Sequence, residues 1–115
     1  MNNLAQIIQD LDLNLLTEQK DFSDIQIPAG YTSDLLSCVI AGAPSQGVWV
    51  TIQAHLNIIA VAALLELNAI IITEGALPDD ATIAKANEEG ISLFNTKRNS
   101  FWVVGKLWEL GINAE

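Results

Sequence analysis

Hydrophobic and polar positions along this chain change period several times, and each change marks an element. Leu4, Ile7, Ile8 and Leu11 recur at helical spacing behind Asn3, whose side chain can cap the free amides of a first helix. A short apolar stretch over 13–16 predicts a strand. After the polar link "TEQKDFSD", Ile25 and Ile27 predict an extended segment that ends at Pro28 and Gly30. "SDLLSCVIAG" then has the pattern of a helix, begun by Thr32 or Ser33 as cap and stopped by Gly42.

The second half is divided more sharply. "VWVTI" (48–52) and "AIIIT" (69–73) are β-branched and aromatic runs too short for helices, as expected of strands covered on both faces, and "SLFN" (92–95) is a weaker third. Between them lie an apolar helix over 58–67 and an amphipathic helix over 80–89. The entry "LPDD" sets acids at the positive end of the latter's dipole, and Gly90 is its exit. A last helix runs from about 99 to 110 and stops at Gly111. Strand-like segments near 25, 48, 69 and 92 thus recur about every 22 residues, each followed by a helix. This alternation predicts an α/β fold of three layers: a mostly parallel sheet of four to five strands, right-handed crossovers, and helices on both faces.

The helices also carry an expectation about assembly. Helix 58–67, "IIAVAALLEL", has Glu66 as its one polar residue, so a sheet covers one side and something else must cover the rest. A second subunit is the simplest cover, with Ile58, Ile59, Val61, Ala62 and Leu65 as its contacts. On the last helix Phe101, Val104, Leu107 and Trp108 share a face, whereas Trp102 falls on the side of Lys106 and Glu109. A tryptophan on a polar face points to an interface, with a ligand contact or simple surface packing as alternatives. A twofold homodimer is therefore expected.

Composition narrows the function classes. At 115 residues a single domain over 1–115 is expected. Half the residues are hydrophobic and mean hydropathy is +0.33, yet the apolar run from Ile58 breaks at Glu66 after about ten residues, half of what a bilayer core requires. No membrane span is expected. The opening "MNNLAQIIQD" lacks a basic region, a long apolar region and a cleavage site, so no secretory signal is read and a cytoplasmic location is expected. Cys38 is the sole cysteine, which excludes an internal disulfide and a cysteine-rich zinc site; its apolar neighbours predict a buried small hydrophobe. Fourteen acids against five bases give a net charge of −9, which repels nucleic-acid phosphates and anionic lipids and keeps an apolar protein in solution.

Ligands of open α/β sheets bind beyond the carboxyl ends of the strands, near helix N-termini. That rule collects Tyr31, Thr32 and Asp34; Gln53, His55 and Asn57; Glu74 and Gly75; and Thr96, Lys97 and Arg98. Lys97 and Arg98 are the only adjacent bases, and they precede a helix whose dipole disfavours cations by a few tenths of a kcal/mol. An anionic ligand would account for them, as would a solvated pair or a partner's carboxylates. His55 could act as a general base and Glu74 as an acid, but no serine or cysteine nucleophile is marked by its neighbours. Asn57 is read as the cap of the apolar helix, and His55 as a structural or interface residue, with ligand binding and catalysis as alternatives. Zinc-ligand spacing and a phosphate-binding glycine loop are both missing from the sequence. Neither a catalytic set nor a metal or cofactor is implied.

The stretch "LELNAIIITEGALPDDATIAKANEEGISLFNTK" has an apolar strand, a glycine-containing turn, proline and acids opening a helix, "EEGI" closing it, and a strand ending in threonine. Together with "AGYTSDLLSCVIAGA" and "VWVTIQAHLNIIAVAAL", it resembles the DRTGG domain family over roughly residues 5–112. The likeness is to the small stand-alone members; relatives include the N-terminal domain of HPr kinase/phosphorylase and modules of phosphotransacetylases and CBS-domain pyrophosphatases. The resemblance implies an α/β regulatory or accessory module, often at a dimer interface, in proteins encoded near iron hydrogenases and redox or signalling proteins. Where the family name predicts Asp-Arg-Thr-Gly-Gly, this chain has "QAHLN", without the arginine or the glycines that let a phosphate approach backbone amides. Gln53, His55 and Asn57 stand in the motif's place.

The resulting expectation is a non-catalytic regulatory domain, homodimeric, that binds a small anionic ligand or a protein partner. The alternatives are a small anion- or nucleotide-binding enzyme subunit using His55 with Lys97 and Arg98, and a purely structural assembly subunit.

Overall fold

The computed structural model describes residues 2–115. Its elements are α1 (Leu4–Leu11), β1 (Asn14–Leu15), β2 (Gly30–Thr32), α2 (Leu36–Gly42), β3 (Val48–Thr51), α3 (Asn57–Leu65), β4 (Ala69–Ile72), α4 (Asp80–Glu89), β5 (Ser92–Asn95) and α5 (Ser100–Glu109), with a 3-10 turn at Phe22–Asp24. The strands form one sheet in the order β1-β5-β4-β3-β2. β2 to β5 are parallel, and β1 runs antiparallel to β5 with Asn14 opposite Asn95.

The sheet order decides the layers. Each step from β2 to β5 moves one strand in the same direction, so right-handed crossovers put α2, α3 and α4 on one face. The flanking helices α1 and α5 cover the other. The two cores follow from strand alternation. Val48, Val50, Ile71 and Phe94 face Leu4, Ile7, Leu11, Val103 and Leu107. Trp49, Ile70, Ile72 and Leu93 face Val39, Ile58, Ile59, Ala62 and Ala86. This is the three-layer, mostly parallel α/β fold expected from the sequence.

Most element ends obey local rules. Asn3, Asp79 and Asn99 cap α1, α4 and α5 by accepting the amides of Gln6, Thr82 and Trp102. Gly90 closes α4 at φ 74°, a left-handed position that favours glycine. Three expectations are corrected. The first parallel strand is Gly30–Thr32, after Pro28, not the segment around Ile25; that segment is held by residues 2–4, with the Leu4 amide donating to the Ile25 carbonyl at 2.8 Å and the Ile27 amide to the Asn2 carbonyl at 2.9 Å. Asn57 does not cap α3, because it is already the first helical residue and Leu56 occupies the cap position without a side-chain acceptor. α2 begins at Leu36 and buries only Val39, which leaves Cys38 exposed on its outer side.

Most of the apolar residues of α3 are covered by their own chain, while Leu64 stays 69% exposed on its outer side. Ile58, Ile59, Val61 and Ala62 are buried within the chain and Leu65 is half-buried, because α3 lies between α2 and α4 and they cover its flanks. On α5 the buried face is Val103 and Leu107; Phe101 is 91% exposed and Trp108 60% exposed. Trp102 is half-buried against the α1–α5 core.

Candidate functional site

At the carboxyl edge of the sheet the sequence-selected residues separate into two groups. The first ties β2 to β3. The Asp34 carboxylate accepts the Thr51 hydroxyl at 2.8 Å and the Ile52 amide at 2.9 Å, and the Gln53 side-chain amide donates to the Asp34 carbonyl at 3.0 Å. Thr32 donates its hydroxyl to the Val50 carbonyl at 2.9 Å. The Asp34 bonds to Thr51 and Ile52 hold the two loops together through one carboxylate oxygen. Tyr31 lies away from the edge: its ring packs under α2, where a Cβ on Gly42 would come within 2.8 Å of it.

His55 and Asn57 are exposed on the loop entering α3. His55 lies within electrostatic reach of the Asp79 carboxylate. Asp79 is held below the usual carboxylate range first by the Thr82 hydroxyl, then by the Thr82 amide, with a smaller contribution from His55.

The second group joins β4 to β5. Glu74 and Gly75 adopt left-handed backbone, φ 62° and 71°, and their amides donate to the carbonyls of Arg98 and Thr96 at 2.9 Å each. Both amides are therefore spent on backbone and form no anion nest. Thr73 and Ser100 share a hydroxyl hydrogen bond of 2.8 Å beneath this turn.

Beside β5 the surface is concave. A cleft of about 380 Å³ is lined by Asp10, Leu11, Asp12 and Asn14 on one wall and by Thr96, Lys97, Arg98 and Trp102 on the other. The antiparallel pairing of β1 with β5 creates it by setting the α1–β1 turn against the β5–α5 turn. Asp12 makes the turn possible, closing α1 at φ 52°. The Arg98 guanidinium lies 4.4 Å from the centroid of the Trp102 ring and the Lys106 ammonium 5.6 Å from it.

The electrostatics of the cleft are unusual for a chain with nine excess negative charges. The ion pairs among the described residues use Lys85 and Lys106; Lys97 and Arg98 pair with no carboxylate. Each wall also opposes its own helix dipole. Asp10 and Asp12 sit at the negative end of α1, and Lys97 and Arg98 sit at the positive end of α5. Facing each other across the cleft, the two walls offset these unfavourable placements in part.

Thr96, Lys97 and Arg98 are thus the sequence-selected residues that line this cleft. Gln53, His55, Asn57, Glu74 and Gly75 do not line it. Sequence reasoning missed Asp10, Asp12 and Asn14, although "QDLD" at the end of a helix carried the same dipole signal as "KR" before one. Among the described residues no cluster of three or more histidine, cysteine or acidic groups could hold a metal ion, and no helix is long and apolar enough to cross a membrane.

The fold is similar to the crystal structure of the CBS and DRTGG domains of the regulatory region of Clostridium perfringens pyrophosphatase, complexed with the activator diadenosine tetraphosphate. The TM-score is 0.73 at 16% sequence identity, over 89% of this chain and 44% of that one. The chain spans under half the length of that structure's chain, and at this identity the likeness is one of fold. No protein-family model and no curated protein matches the chain.

Proposed function

We propose that the chain is a non-catalytic regulatory domain of DRTGG type, a single unit over 1–115, that binds a small anionic ligand in the cleft between α1–β1 and β5–α5 and works as a homodimer in the cytoplasm. The observation that carries the reading is the pair of unpaired cations, Lys97 and Arg98, lining a concave site with an aromatic ring in a strongly acidic chain. The similar solved structure is a regulatory region holding a nucleotide activator, which supports the class of function. A place beside redox, hydrogenase or signalling systems belongs to the same reading and rests on the family resemblance alone.

The two walls define the ligand's chemistry. Lys97 and Arg98 take a phosphate or carboxylate, with Arg98 able to bind two oxygens at once. Asp10 and Asp12 accept hydrogen bonds from amino or hydroxyl groups and repel a bare polyanion. Trp102, held by Arg98, offers an aromatic edge to a ring. The site therefore favours a ligand with one anionic end and several donors, of which a nucleotide is one class.

A thermal-shift screen of nucleotides, amino acids and inorganic phosphate tests this, because a ligand bound to the folded state raises its melting temperature by mass action. A stabilising ligand that loses its effect in Lys97→Ala/Arg98→Ala, and keeps it in His55→Ala, is the expected result. Stabilisation untouched by the double substitution would sink the cleft as the site.

A further inference from the structure

The exposed aromatic residues of α5 form a pattern. Phe101, Val104, Gly105 and Trp108 stand at i, i+3, i+4 and i+7, which is one stripe of a helix. Phe101 is 91% exposed, Trp108 is 60% exposed, and Val104 is half-buried. Between the aromatics, Gly105 is exposed, and a Cβ added there would meet nothing within 4 Å. Glycine in an exposed helix interior is unfavourable relative to nearly every other residue, and its own chain gives no steric reason for it. A second backbone passing close at Gly105 supplies that reason.

Next to Trp108 lies an apolar groove of about 250 Å³ between α5 and the edge strand β2, lined by Gly30, Thr32, Val50, Val104, Leu107 and Ile112 among others. A protruding phenyl ring and an apolar slot thus lie seven residues apart on one helix, at opposite ends of the stripe. Two α5 helices packed antiparallel and crossing at Gly105 bring the ring of each copy against the slot of the other. That is the self-complementary contact a twofold axis requires.

The charges fit the same arrangement. Lys97 and Arg98 precede α5, and Glu109 ends it. An antiparallel pairing carries the cations of one copy toward the partner's Glu109, which in each chain already pairs with Lys106 at 3.5 Å, and the symmetry repeats the contact. Parallel packing would instead set like charges side by side.

We infer that α5 is the contact of a homodimer, with Phe101 of each copy seated in the groove beside the partner's Trp108 and Gly105 at the crossing. This inference names the surface of the homodimer in the proposed reading; it rests on the aromatic stripe, Gly105 and the apolar groove, none of which lines the ligand cleft, and shares with that cleft only the flanking cations.

Sedimentation equilibrium of the full chain from low to high micromolar concentration tests it, with Phe101→Ser and Gly105→Gln measured beside the wild type. The expected result is a concentration-dependent dimer whose dissociation constant rises about tenfold or more in each variant, the size of change typical of losing a central aromatic anchor. Gly105→Gln discriminates most strongly, because a better helix former raises the melting temperature of the dilute monomer while weakening the dimer, which general destabilisation cannot mimic. A wild type that stays monomeric at every concentration, whether because another protein covers the stripe or because nothing does, overturns the inference. So does a dimer that both substitutions leave intact, and that result places the contact elsewhere without touching dimerisation itself. Nucleotide stabilisation through Lys97 and Arg98 is read on the same samples, so failure of the ligand reading shows separately.

Discussion

α3 is the more apolar helix in composition, yet α5 leaves the larger apolar surface in solvent. α3 is apolar almost all round, yet Ile58, Ile59 and Ala62 are wholly buried, because α2 and α4 flank it in the same layer and leave the outer side, with Ala60 and Leu64, exposed. α5 carries lysine, glutamate and glycine among its apolar residues, yet it leaves Phe101 and Trp108 in solvent. α5 shares its face of the sheet with α1 and has a groove, not a helix, along its outer flank. A helix's total apolarity therefore reports how many neighbours it needs. Whether those neighbours belong to the same chain depends on its place in the layer.

Ile59→Ala is expected to cost about 2–5 kcal/mol in urea unfolding at fixed protein concentration, since it leaves a cavity under a helix packed on three sides. A loss under about 1 kcal/mol would mean that α3 is not enclosed as described. On α5, Asn99→Ala removes the acceptor of the Trp102 amide and is expected to cost about 1 kcal/mol. Phe101→Ser, equally apolar to begin with, is expected to change the stability of the dilute chain by under about 0.5 kcal/mol. A large loss there would place Phe101 in a core and erase the contrast with Ile59.

The smallest effect concerns the layer that encloses α3. Asp79 caps α4 and is held below the usual carboxylate range mainly by the Thr82 hydroxyl and amide. A carboxyl lowered on folding contributes stability that is present above its unfolded pKa and is lost as pH falls through the lowered folded value. Asp79→Asn keeps an acceptor at the cap but cannot titrate. The stability gap between wild type and this variant, followed by thermal unfolding, is expected to be open at neutral pH and to close on acidification. A gap independent of pH would assign the cap to neutral hydrogen bonding alone.

Local chemistry made much of the fold legible. Asn3, Asp79, Asn99 and Gly90 end helices where capping rules put them, and the runs at 48–51, 69–72 and 92–95 are strands because β-branched and aromatic side chains suit a sheet covered on both faces. The errors came where two segments compete for one neighbour. Ile25 and Ile27 have strand chemistry, but residues 2–4 take their backbone partners and the sheet continues from Gly30. Cys38 has apolar sequence neighbours, but a helix turns successive residues away from one another and the core receives only Val39.

Of the candidate site, half was legible. Thr96, Lys97 and Arg98 could be selected because strand ends and helix dipoles are local properties. Asp10, Asp12 and Asn14 could not be joined to them, because β1 and β5 are some eighty residues apart in sequence and their pairing is a long-range choice. The sequence by itself determined the elements and their strand–helix alternation, and with it a mostly parallel sheet covered by helices, through the period of its apolar positions. Tertiary structure alone decided which helices are neighbours, which charges face each other across the cleft, and which apolar stripe is left in water. Those are properties of the order of strands in the sheet, and strand order depends on contacts that no local pattern encodes.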